Sequence, residues 1–157
     1  MPVQQLFDIS GIEKSAVFAD GAGVGRVNPQ AGHMRHLDHI IWCNSELTEV
    51  LGVKFVRHDE FWVPGHIPGR PLFPGVLQIE AGAQVSSFLQ RTKYPDLPFI
   101  GFTRCDETAF RGQVVPGDTL YLLAKEITSN RRRFSCFAQG IVNDKIVFEA
   151  KISGMAI

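Results

Sequence analysis

Residues 74–92 read PGVLQIEAGAQVSSFLQRT, and the fold turns on what this stretch becomes. Pro74 suits the first turn of a helix, where its missing N–H would have had no intrahelical partner. Val76, Leu77, Ile79, Ala81, Ala83, Val85, Phe88 and Leu89 then cover nearly the whole helical circumference. A helix that is apolar all round is a buried helix. At ~1.5 Å per residue it would run ~28 Å, about the width of a small domain. Polar residues return at Gln90-Arg91-Thr92-Lys93, and Pro95 stops it.

Beyond this helix the hydrophobic period changes. Residues 99–111 lead into the turn VVPGD. The segments TLYLLAKEIT, RFSCFAQGIV and KIVFEAKISGMAI follow, separated by SNRRR and by Asn143-Asp144. Phe134, Cys136 and Ala138 alternate with Ser135, Phe137 and Gln139, the period of a strand. Long strands joined by short turns predict an antiparallel meander. Upstream, HMRHLDHIIWC (33–43) is expected to be the first strand and LGVKFVRH (51–58) the second. The chain is therefore expected to be α+β: one long central helix and about five or six antiparallel strands in a sheet curved around it. Residues 1–157 are expected to form one domain, of which 1–32 is the least legible part. A short helix is expected within 4–18 and a glycine-rich loop over ADGAGVGRVNPQAG. That loop invites a nucleotide-binding reading, but Asn28-Pro29 follows it where a phosphate loop needs a helix.

Composition removes several functional classes. The chain is 45% hydrophobic and 20% charged, with 16 basic and 16 acidic residues, so its formal net charge is zero. Nothing here attracts nucleic acid or an anionic membrane as a whole. No apolar run approaches the ~20 residues of a membrane span. The opening MPVQQLFDISGIEKS lacks a basic region followed by an apolar one, so no signal peptide is expected and a cytoplasmic location is. The three cysteines, Cys43, Cys105 and Cys136, form no CxxC pair and no zinc spacing. They are read as small hydrophobes in a reducing compartment. His33, His36 and His39 recur every three residues. In a strand His36 would face away from the other two, so no metal site is expected.

The chemistry is concentrated in residues 65–84, GHIPGRPLFPGVLQIEAGAQ. Glu80 interrupts the apolar helix, with Gln84 one turn later on the same face. An ionised carboxylate is costly in apolar surroundings, so Glu80 is expected to keep its proton near neutral pH. His66 heads a loop stiffened by Pro64, Pro68, Pro71 and Pro74, and such preorganisation is what a catalytic group needs. The helix start offers unpaired N–H groups, and Gly75 there has no side chain to block a ligand oxygen. A base, an acid and an N–H donor could thus meet, as required for proton abstraction next to a carbonyl.

The stretch PGHIPGRPLFPGVLQIEAGAQ resembles the signature of the β-hydroxyacyl-[acyl carrier protein] dehydratases of bacterial fatty acid synthesis, close to GHFPGxPxMPGVxxxEAxAQ. FIGFTRCDETAFRGQVVPGDTL and VNDKIVFEAKISG continue the resemblance, which covers about residues 33–157. The resemblance implies a hotdog fold, an antiparallel sheet wrapped around a central helix, dimerised into a longer sheet. It implies that His66 is the catalytic histidine and Glu80 the catalytic acid. It assigns the thioester carbonyl to the Gly75 N–H, the orientation of the histidine ring to the Leu72 carbonyl, and the place beside the acid to Gln84. His66 of one subunit would work with Glu80 of the other, in a homodimer open to assembly as a trimer of dimers. The partner it implies is an acyl carrier protein bearing the thioester; no cofactor and no metal are implied.

The sequence departs from the pattern at Ile67, where Phe is usual, at Phe73, where Met is usual, and at Gly82, where a bulkier residue stands. These positions are expected to line or flank the acyl tunnel. Residues 1–32 do not match the family's N-terminal segment. Arg70, Arg104, Arg111 and Arg131-Arg132-Arg133 are candidates to steer an acidic carrier protein. The rival readings keep the fold: an acyl-CoA thioesterase, an enoyl-CoA hydratase, or a non-catalytic acyl-binding module.

Overall fold

The computed structural model describes residues 3–157. The chain runs α1 (Gly21–Val27), a 3-10 turn (Gly32–Met34), β1 (His39–Cys43), β2 (Glu49–Phe55), α2 (Gly75–Lys93), β3 (Ile100–Phe110), β4 (Thr119–Ser129), β5 (Arg133–Val142) and β6 (Lys145–Ala156). The six strands form one sheet in the order β1-β2-β4-β5-β6-β3. Every neighbouring pair is antiparallel.

The α2 helix is the one expected from its apolar run. Pro74 precedes it, its carbonyl accepting from Leu77 N at 3.0 Å and Gln78 N at 3.0 Å. Ala81, Val85, Phe88 and Leu89 are buried against inward residues of the sheet, among them Leu122, Ala138, Phe148 and Ile152. Helix and sheet approach closely at Gly82, where a Cβ would lie 3.1 Å from the Phe148 ring and 3.3 Å from the Ala138 methyl. Gly82 therefore sets the spacing between helix and sheet, a role the tunnel-flanking expectation did not foresee.

The N-terminal segment departs from expectation in two places. No helix forms within 4–18. Leu6, Phe7, Ile9 and Ile12 instead pack flat on the outer face of the sheet, against Ile41, Leu51, Val53, Leu123 and Ile141. One-sided packing of an extended strap needs no helical periodicity. Gln139 clamps the strap, its Oε1 accepting from Leu6 N at 2.9 Å and its Nε2 donating to Gln4 O at 2.7 Å. The glycine-rich segment is not a loop but the short helix α1. Asp20 caps it, its Oδ1 accepting from Gly23 N at 2.8 Å. The Arg35 guanidinium lies over Gly25, where a Cβ would make it move.

The first strand starts later than expected, at His39, and His33 lies in the 3-10 turn. Strand β2 is buried at every position from Val50 to Lys54, because the strap covers one face and α2 the other. The two sheet edges are treated differently. Beside β1, Phe18 and Ala19 both donate their N–H to Ile40 O, at 2.8 and 3.2 Å, and Ile40 N donates back to Ala19 O at 2.8 Å. Along β3, nothing among the described residues pairs the second edge of an eleven-residue strand. Among the described residues no helix is long and apolar enough to cross a membrane. The wrapped sheet and single long helix make the hotdog arrangement.

Candidate active site

His66 lies on the loop between β2 and α2, half-buried, and is fixed at two atoms. Its backbone N–H donates to Trp62 O at 2.8 Å. Its ring Nδ1 lies 2.8 Å from Leu72 O. A carbonyl can only accept, so Nδ1 carries the proton and Nε2 keeps a free lone pair. A base is thus presented in one tautomer. The next residue, Ile67, has φ +58° and is exposed. A β-branched residue in the left-handed region is a genuine outlier, and such strain of about 1–3 kcal/mol is held only where surroundings impose it. The loop returns through Gly69, at φ +80°, and is pinned where Phe73 N donates to Val114 O at 2.8 Å.

At the start of α2, the N–H groups of Gly75 and Val76 make no hydrogen bond among the described residues. Helix starts leave such donors free. A Cβ on Gly75 would lie 3.0 Å from the Phe110 ring of β3, so glycine is required there by packing as well as by access. Glu80, one turn further on, is half-buried at the wall of a cavity rather than sealed in the core. Its Oε1 accepts from Gln84 Nε2 at 2.9 Å. Gln84 is itself fully used, donating to Met34 O at 2.7 Å and accepting from His36 N at 2.9 Å.

The cavity beside Glu80 holds about 160 Å³ and is walled by Gln30, Ala83 and Ser87, by residues 99–102 at the head of β3, and by Phe134 and Ile152–Gly154. His66 does not line it. Within one protomer the two candidate groups therefore face different spaces. Around them the surface is apolar: Val76 is 72% exposed, Phe110 51% and Phe102 48%. Phe73 lies in the core against Trp62 and His36.

Sequence reasoning singled out His66, Glu80, Gly75, Leu72 and Gln84 as candidates. It missed the polar cluster underneath the loop. Lys54 and Glu60 form a buried ion pair at 2.7 Å. His36 sits beside it, and neither ring nitrogen has a hydrogen-bond partner. Burial, with help from the Lys54 charge, lowers the His36 pKa to about 4, so the ring is neutral at pH 7 and packs as an aromatic. Burial alone would raise the Glu60 carboxyl; hydrogen bonds from Lys54, Arg57 N and Trp62 outweigh it and the net shift is downward. The only advance signal was Lys54 on the inward side of the β2 alternation, together with Val50 and Gly52.

Burial pushes the Cys43 and Cys136 thiols up to about 12, consistent with small hydrophobes. Among the described residues no three His, Cys, Asp or Glu side chains gather as a metal site would require. Of the arginines considered for carrier docking, Arg104, Arg111 and Arg131 are each paired with an exposed or partly exposed acid. Arg70 and Arg132 are exposed and make no ion pair among the described residues.

The FabA-like domain pattern matches residues 28–151. The 3-hydroxyacyl-[acyl-carrier-protein] dehydratase FabZ of Syntrophobacter fumaroxidans is 37% identical over 118 residues, 74% of this chain and 79% of that protein. The bifunctional enzyme LpxC/FabZ of Porphyromonas gingivalis is 44% identical over 85 residues, 53% of this chain but 18% of that longer protein. Among solved structures, the dehydratase heterocomplex ApeI:P from Xenorhabdus doucetiae superposes with a TM-score of 0.73 at 15% identity, covering 85% of this chain and 90% of that one. At that identity the likeness speaks for the fold alone.

Proposed function

Because the chain belongs to the FabA-like domain family, we propose that it dehydrates (3R)-3-hydroxyacyl thioesters on an acyl carrier protein to trans-2-enoyl thioesters, reversibly, for fatty acid synthesis. The catalytic unit is a homodimer in which His66 of one subunit works with Glu80 of the other. One observation carries this reading: His66 is held as a single-tautomer base by Leu72 O, while Glu80 faces a cavity that His66 does not line, beside an unpaired β3 edge.

The thioester carbonyl docks on the Gly75 N–H. His66 Nε2 takes the α-proton, and the negative charge that develops on the carbonyl oxygen is stabilised by that N–H. Glu80 gives its proton to the β-hydroxyl, the C–O bond breaks, and water leaves as the α,β double bond forms. Gln84 holds Glu80 in place. Arg70 and Arg132 offer positive charge to an acidic carrier protein. The site would lie in the cytoplasm, where such carriers are charged with acyl groups.

The test is absorbance of the conjugated enoyl thioester, with substrates on carrier protein and on CoA. Hydration without thiol release is expected, and lost in His66→Ala and in Glu80→Ala. Mixing the two inactive variants should restore about a quarter of the activity, since half the dimers are mixed and each has one intact site. No recovery would overturn the shared site, and full activity in either variant would overturn the mechanism. Thiol release would make the protein a thioesterase.

A further inference from the structure

Strand β2 turns a lysine into the core. Lys54 is 2% exposed, on the same side of the strand as Val50 and Gly52, facing α2. Its ammonium lies 2.7 Å from Glu60 Oε1 and 5.2 Å from the centre of the Phe73 ring. Glu60 spends its other contacts on the chain around it: Oε2 accepts from Arg57 N at 2.8 Å and Oε1 from Trp62 Nε1 at 3.3 Å. Trp62 and Phe73 then pack against each other, ring centres 5.4 Å apart and planes tilted by 46°.

Two carbonyls hold the catalytic histidine, and both are tied to this cluster. Trp62 O takes the His66 N–H, and the Trp62 indole is hung from Glu60. Leu72 O takes His66 Nδ1, and the next residue, Phe73, lies against the Lys54 ammonium. The outgoing and returning limbs of the loop are thus pinned to one ion pair, while residues 64–70 between them are mostly exposed.

As stability alone, this arrangement is poorly motivated. Two buried charges lose their hydration, and well-packed apolar residues often serve the fold as well or better. What an ion pair supplies and apolar packing does not is direction. We propose that Lys54 and Glu60 are positioning residues for His66, fixing the separation of the Trp62 and Leu72 carbonyls and so the tautomer and aim of the imidazole. This rests on the reading of His66 as the catalytic base.

The test is the double variant Lys54→Met/Glu60→Gln, which removes both charges and keeps an acceptor for the Trp62 indole. The proposal expects a folded dimer with a melting temperature close to wild type and kcat about 30–100-fold lower, since misplacement by ~1 Å can cost about that much. KM should stay within about twofold, because the groups that bind the thioester are untouched. The ¹⁵N resonances of the His66 ring should change from the single Nδ1–H form to a mixture of tautomers. Wild-type kcat and a wild-type ring spectrum in a folded double variant would overturn the proposal. If the double variant does not fold, Trp62→Phe decides: it removes the indole N–H together with one ring of the side chain, so the His66 ring spectrum is read alongside kcat. A drop of about 3–10-fold in kcat at constant KM would support positioning, and no change would refute it. His66→Ala, run alongside, separates the two ideas. Full activity there would remove the catalytic base itself. Loss there with an unaffected ion-pair variant would remove only the positioning role.

Discussion

The two edges of the sheet are solved in opposite ways. At β1, the N-terminal segment lays Phe18 and Ala19 alongside Ile40 and takes up its hydrogen-bonding groups. At β3, the edge stays open for eleven residues, flanked by Phe99, Phe102 and Phe110. An open, long, apolar edge is a template for pairing with another chain. The lesson is that residues 6–19, which precede the stretch matching the family pattern, narrow the choices. They close one edge and cover the outer face over β2 and β4, leaving β3, beside Gly75 and the Glu80 cavity, as the edge without a partner strand among the described residues.

This contrast can be broken first at the open edge. Phe102→Asp places a charge where the second copy is expected to sit. We expect monomers in analytical ultracentrifugation and activity at least ~100-fold lower. A dimer of unchanged mass would remove β3 as the pairing edge. The closed edge should answer differently. Ala19→Pro deletes the N–H given to Ile40 O and should cost about 1–3 kcal/mol in urea denaturation, with mass unaltered. If Ala19→Pro altered the assembly instead, the two edges would not be divided as described.

A third test concerns the interior between the edges. His36 has its pKa lowered to about 4 from 6.5, so the unfolded chain takes the proton more readily than the folded one. Stability is therefore unaffected above about pH 6.5 and falls as pH drops toward 4. Between pH 7 and 5 the loss is about 2 kcal/mol, and His36→Phe should flatten it. Glu60, with a lowered carboxyl pKa, loses its contribution only below the ordinary carboxylate range and is silent in that window. An equally steep pH dependence in His36→Phe would place the titration elsewhere. The smallest effect is expected from Gln139→Leu, which frees the strap: about 1 kcal/mol, with no change of mass or turnover. A change of mass would show that the strap also guards the outer face against a second copy.

How much was legible follows from where each signal lies along the chain. Helix α2 could be read because its apolar run is bounded by Pro74 and Pro95, and β3–β6 because their alternation is long. His66 and Glu80 stood out because one sits among prolines and the other is a lone acid in a greasy helix. The α1 helix was hidden, because Gly21, Gly23 and Gly25 carry low helix propensity; its local signal was the cap at Asp20, and its other support is tertiary, Arg35 Nη1 donating to Gly21 O. The strap at 4–18 gave too few apolar residues to separate a helix from a flat one-sided contact. Lys54 stands on the inward side of the β2 alternation with Val50 and Gly52. Only the turn that brings Glu60 back beneath it supplies the opposite charge, and no periodicity encodes a partner six residues on across a loop.

The Gln139 clamp also fixes an order of events. Its partners, Gln4 O and Leu6 N, lie 135 and 133 residues earlier in the chain. At about 5–20 residues per second, synthesis separates the two ends of that contact by roughly 7–27 s. During that time Leu6, Phe7 and Ile9 have been made and β5 has not. The strap can settle only after the strands that receive it, the last of them β5, exist. In a nascent chain the apolar side chains of Leu6, Phe7 and Ile9 therefore stay uncovered until β5 has been made, and that segment is one a chaperone would meet.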